Sequence, residues 1–94
     1  MESFRRSEAI RLNPANASSY AELGGAYILI GQFDDAINSC KTAIRCQPGD
    51  ARSHLILGCA YLKAKDRAAA LDEYAILKKI DQEKADELFR FIYP

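Results

Sequence analysis

Apolar residues recur along this chain at helical spacing, and no segment reads as a credible strand. Ala85, Leu88, Phe89 and Ile92 fall at i, i+3, i+4 and i+7, one face of a helix. Leu23 with Tyr27, and again Leu57 with Tyr61, mark a packing stripe on two other segments. Punctuation places the boundaries. Asn13-Pro14 ends a first helix, because proline cannot continue one and biases the residue before it away from helical angles. Asn16 is predicted to cap a second helix running to about Ile30, with Gly31 as its C-terminal stop. A third runs from about Phe33 to Cys46. Pro48-Gly49 breaks the chain, and Asp50 is placed to cap a fourth helix to about Ala64. Asp66 is placed to cap a fifth to about Ile80, and Asp81 a sixth to about Ile92. The prediction is all-α, about six helices. Links of a few residues favour antiparallel neighbours.

The pattern is also written twice, 34 residues apart. Tyr20-x-x-Leu23-Gly24-x-x-Tyr27 is followed by Ala36 and Pro48, and His54-x-x-Leu57-Gly58-x-x-Tyr61 by Ala70. An ungapped alignment of 17–50 on 51–84 pairs identical residues at Ala17/Ala51, Ser19/Ser53, Leu23/Leu57, Gly24/Gly58, Ala26/Ala60, Tyr27/Tyr61 and Ala36/Ala70. A fixed period of this length is the mark of a solenoid, which offers a surface rather than a reaction centre.

The spacing resembles the tetratricopeptide repeat, a helix–turn–helix unit with small residues where its helices touch. Gly31-Gln32-Phe33-Asp34-Asp35-Ala36-Ile37 is similar to that family's link within a unit, and Pro48-Gly49-Asp50 to its link between units. The resemblance implies one domain over 1–94, stacked as a right-handed superhelical solenoid. Residues 1–14 would be the end of a partial repeat, 17–50 and 51–84 full repeats, and 85–94 a capping helix. Some positions depart from the family pattern. His54 stands where a large aromatic is usual, Cys40 and Arg6 occupy later aromatic slots, Arg67 replaces the aromatic supplied by Phe33, and Gln82 replaces proline. Gly24 and Gly58 lie inside helices, where glycine costs about 1 kcal/mol relative to alanine. They are expected to let the paired helix approach, with Ala36 and Ala70 as the facing small residues.

Lys plus Arg number 13 and Asp plus Glu 13, so the net charge is zero and the basic excess of a general nucleic-acid binder is missing. Basic residues such as Arg5, Arg11 and Lys41 are scattered among acids. No stretch approaches the ~18 apolar residues of a membrane span, and Met1–Arg6 has no apolar core of the signal-peptide kind. Three cysteines without a CxxC fit a reducing, cytoplasmic setting, or that of a longer parent if the chain is a piece of one.

In the family, the first helices of successive units line a concave groove for peptides or partner proteins. Carried over, that groove comprises Ser18, Ala21, Glu22, Gly25, Ile28 and Leu29 on one helix. Arg52, Leu55, Ile56, Cys59, Leu62 and Lys63 continue it on the next. Each set keeps helical spacing and is separate from the Leu23/Tyr27 and Leu57/Tyr61 stripe, so these helices are apolar on two sides. Either a partner fills the groove or the chain's last helix covers it. Some relatives clamp a terminal carboxylate with Lys, Asn and Arg; the matching places are Ala21, Gly25 and Ile56, which cannot donate to a carboxylate. The reading is therefore a non-catalytic scaffold or adaptor for an apolar peptide or helix. The alternative is self-association, most simply a homodimer, through the groove or through Phe4, Ile10 and Leu12 at one end and Phe91 and Tyr93 at the other.

Catalytic, metal and cofactor chemistry find no support in the sequence. His54 and Cys59 are about 140° apart around a helix, and Cys40 and Cys46 also point to different sides. Phosphate-binding glycine motifs are missing. Asp34-Asp35 suits the dipole of a helix start.

Overall fold

The computed structural model describes residues 15–94. Five helices follow one another: α1 (Ala15–Leu29), α2 (Phe33–Cys46), α3 (Ala51–Lys63), α4 (Arg67–Ile80) and α5 (Gln82–Ile92). Among the described residues there is no strand. The first of the six expected helices, with Phe4, Ile10 and Leu12, lies outside the described residues.

The helices pack as two helix–turn–helix pairs and one further helix. α1 lies on α2 and α3 on α4, while α2 meets α3 and α4 meets α5 in sequence. Contacts also join α1 to α3 and α3 to α5, but α2 and α4 touch to no comparable extent among the described residues. The first helices are thus drawn together and the second helices splay. The layer α1–α3–α5 is therefore the inner side of the curve.

Both turns within the pairs close the same way. Gly31 N–H donates to the Ile28 carbonyl and Gln32 N–H to the Tyr27 carbonyl; Lys65 donates to Leu62 and Asp66 to Tyr61. This double bond requires a left-handed residue, Gly31 at φ 83° and, 34 residues later, Lys65 at φ 68°. Lysine there carries a steric cost that glycine avoids. Helix starts follow the expected caps in part. The Asp66 and Asp81 carboxylates accept the backbone N–H groups of Ala69 and Lys84. Asp50 stands at the cap position of α3, but its carboxylate takes the Ser53 hydroxyl instead. Asn16 is not a cap, since α1 already includes Ala15. Asp34 and Asp35 sit in the first turn of α2, as the dipole favours.

The core divides into an apolar half and a small-residue half. Ala70, Leu77, Ala85, Leu88 and Ile92 are buried together, with Leu55, Tyr61, Leu71 and Tyr74 against them. The first repeat instead buries Ala17, Ala21, Ala43 and Cys46, with Tyr20 and Ile56 alongside. Ala43 and Leu77 are equivalent positions, as are Cys40 and Tyr74, so the first repeat removes less apolar surface from water.

The two glycines work differently from each other. A Cβ on Gly24 would sit 2.6 Å from Cys40 Sγ and 3.4 Å from the Ala36 carbonyl, so α2 does come close there, as expected. A Cβ on Gly58 would meet Leu88 of α5 first, at 2.6 Å. The next helix packs directly on this glycine. The packing stripes also differ. Leu57 is 2 % exposed, but Leu23 is 41 % exposed. α3 has helices on both sides, whereas α1 has described neighbours on one side only.

Candidate functional site

The inner layer carries an open cleft of about 510 Å³. Ile28 reaches it from the last turns of α1; Cys59, Leu62 and Lys63 from the last turns of α3; and Phe91 and Ile92 from the end of α5. Arg67, at the start of α4, and Pro94 close its edge. The three inner helices run side by side, so their C-terminal ends converge on one apolar depression. No acidic side chain lines it among the described residues.

Of the residues read from sequence as groove-forming, Ile28, Cys59, Leu62 and Lys63 meet in this cleft. The others take different places. Ala21 is fully buried and offers no surface. Ile56 packs against the Ala17/Ala21 cluster and Leu55 against the Leu77/Leu88 cluster. Both are half-buried, because α3 touches α1 and α5 along that part of the inner layer. Leu29 is 88 % exposed but lies outside the cleft. Gly25 is half-buried with open space where a side chain would go. Ser18 is exposed. Glu22 and Arg52 face each other across α1 and α3 at 3.7 Å, an exposed pair worth little to stability.

Phe91, Ile92 and Arg67 were not among the groove residues read from sequence. Phe91 and Ile92 stand 34 residues after Leu57 and Gly58, in register positions that normally pack on a paired second helix. α5 has no such partner among the described residues, so both border the cleft. Phe91 is 59 % exposed. The other residue placed at a self-association surface, Tyr93, is half exposed, stacks at 5.2 Å on Phe89 and lies under the Arg67 guanidinium at 5.5 Å. The last helix covers part of the inner face, through Leu88 on Gly58 and the packing on Leu55, and leaves the cleft open beyond it.

The thiols do not make this a reaction centre. Burial pushes the Cys59 thiol up, reinforced by Glu87 and opposed by Lys63. Burial pushes Cys40 up to about 12, with Cys59 and Glu73 adding to it. Burial also raises Cys46, against the pull of Arg45. A thiol so held is a poor nucleophile. No cluster of His, Cys, Asp and Glu suited to a metal exists among the described residues, and no described helix is long and apolar enough to cross a membrane.

His54 has a structural task. It is buried, Nδ1 lies 2.6 Å from Glu73 Oε1, and Nε2 lies 2.9 Å from the Pro48 carbonyl oxygen. A carbonyl only accepts, so Nε2 carries a proton, and the Glu73 carboxyl beside Nδ1 favours a second proton there, the imidazolium form. The hydrogen bond to Glu73 holds His54 above its ordinary 6.5; burial opposes the shift, and the Pro48 carbonyl and the Glu73 and Asp50 charges support it. The ring joins the inter-repeat link, α3 and α4 at one point.

The sequence model of the tetratricopeptide repeat family matches residues 7–51 and 30–85, which together take in both repeats. The chain belongs to the tetratricopeptide repeat family. Similar proteins include the "Small glutamine-rich tetratricopeptide repeat-containing protein 2" of Saccharomyces cerevisiae, 29 % identical over 92 % of this chain. "Protein SGT1 homolog" of Bos taurus is 27 % identical over 84 % of it. "TPR repeat-containing thioredoxin TTL4" of Arabidopsis thaliana is 34 % identical over 58 % of it. The chain spans 25 %, 23 % and 8 % of these relatives' lengths respectively. The family is generally a non-catalytic protein-interaction module.

Proposed function

We propose that this chain is a non-catalytic adaptor that seats an apolar protein segment, helical or extended, in the cleft between α1, α3 and α5. The observation that carries the reading is the convergence of Ile28, Leu62 and Phe91, with buried Ile92 beneath them, on one open depression with no acidic side chain in its wall among the described residues. Apolar side chains placed there lose water contact on both partners, which is the dominant favourable term in association. Peptides selected from a random display library against the whole chain should be rich in apolar residues. Phe91→Asp, a change at an exposed position that leaves the core intact, should abolish their binding without altering helicity, because an unpaired carboxylate would have to be buried under the ligand. Selected peptides that bind the Phe91→Asp protein equally well would refute the cleft as the site.

Exposed Phe91 and Tyr93 favour a second reading, a dimer formed through this same end of the stack. Sedimentation of the chain at micromolar concentrations decides it. A dimer that Phe91→Glu dissociates supports self-association, and a monomer unaffected by that change removes it.

A further inference from the structure

The cleft has a charge, and the charge has a direction. The charged side chains in its wall are Lys63, the last residue of α3, and Arg67, the first of α4. They flank one short turn. Neither has an acidic group within ion-pair distance among the described residues. Asp66 stands between them in sequence; its carboxylate caps α4 through the Ala69 N–H and does not line the cleft. The Arg67 guanidinium rests over the Tyr93 ring at 5.5 Å, a contact that leaves its charge unneutralised. The acids of the inner side gather elsewhere. Glu83, Asp86 and Glu87 share a separate surface depression with Arg90, on the earlier turns of α5. Glu22 is balanced by Arg52. Glu87 and Lys63 lie on opposite sides of this division, and both act on Cys59 between them. The inner face therefore passes from acidic on the earlier turns of α5 to basic at the cleft.

We infer that the segment taken by the cleft is an apolar one bearing an acidic group beside its anchor, and that Lys63 and Arg67 hold that group. The inference rests on the groove reading above and adds its polarity. A carboxylate next to the anchor would receive charge-assisted hydrogen bonds from a site that already excludes part of the water around it. The acidic turns of α5 would repel the same group, so the ligand enters in one orientation. The site is also separate from the Ala21, Gly25 and Ile56 positions, which lack donors altogether.

The test compares three proteins against one random-peptide display library: the whole chain, a Lys63→Glu/Arg67→Glu variant and a Lys63→Gln/Arg67→Gln variant, each checked for helicity. Against the unaltered chain, Asp and Glu beside the apolar block should be enriched about tenfold over Lys and Arg, the ratio that one good charge-assisted contact gives. The charge-reversed variant should select basic flanks, and the neutral variant neither. Synthetic peptides with one apolar block followed by a Glu pair or a Gln pair should differ in affinity by a similar factor for the unaltered chain, and by less as salt rises. Apolar peptides selected with no charge preference would overturn this inference and leave the groove reading standing. An acidic preference that survives charge reversal would overturn it too, since the acid would then be held elsewhere. A selected set whose binding ignores Phe91→Asp would overturn the groove reading and this inference together.

Discussion

His54 occupies a position where the family places a large aromatic, so His54→Phe preserves the shape of the slot and removes only its two donors. The consequence can be sized. Glu73 is buried and would lose its partner, and losing one member of a buried ion pair costs about 3–5 kcal/mol. The Pro48 carbonyl would lose its donor as well, which adds about 1 kcal/mol or more where water cannot replace it. Domains of this size hold only ~5–15 kcal/mol in total. The single variant should therefore lose a large share of its stability in urea, followed by far-UV circular dichroism. Replacing both members is different. His54→Phe with Glu73→Leu removes the stranded charge and should recover most of the loss, since apolar pairs replace buried ion pairs at little net cost. The coupling in this double-mutant cycle should exceed about 2 kcal/mol. The pH dependence has a definite sign. Because Glu73 raises His54 above its ordinary 6.5, the contribution is complete below that value and is lost as pH climbs through the raised folded-state value. Stability of the parent should fall across that interval more than that of the double variant. A single variant within about 0.5 kcal/mol of the parent, or additive single effects, would refute the ion-pair account.

Gly58→Leu should destabilise the fold by about 1–3 kcal/mol, because even a Cβ would press on buried Leu88, whereas Gly25→Ala should stabilise by up to about 1 kcal/mol where nothing lies within 4 Å; parallel urea midpoints decide both. Lys65→Gly should raise stability by about 0.5–1 kcal/mol by relieving the left-handed strain that Gly31 avoids, and an unchanged or lower midpoint would contradict that assignment. Alkylation followed by mass spectrometry should modify half-buried Cys59 before buried Cys40, and an apolar peptide in the cleft should slow Cys59 labelling alone.

The architecture was legible because punctuation and period agreed: proline, glycine and aspartate marked the ends of helices whose small residues repeated at 34 positions. Finer features depended on neighbours that one helix does not reveal. The contact of Leu88 with Gly58 comes from the next helix, which the repeat's own pairing does not reveal. Ala21 has the spacing of a groove face but is fully buried, and Leu55 and Ile56 are half-buried against the core. Phe91 joins the cleft only because α5 has no described paired helix to cover it. The partner of His54 was invisible for the same reason. Glu73 lies 19 residues away, on another helix.

The most direct test of the adaptor claim is an amide and methyl NMR titration of the whole chain with a display-selected apolar peptide. The account predicts shift changes at Ile28, Cys59, Leu62, Lys63 and Phe91, with Ile76 and Ile80 on α4 unmoved. Perturbations confined to Ile76, Ile80 and the rest of α4, with the cleft silent, would contradict it.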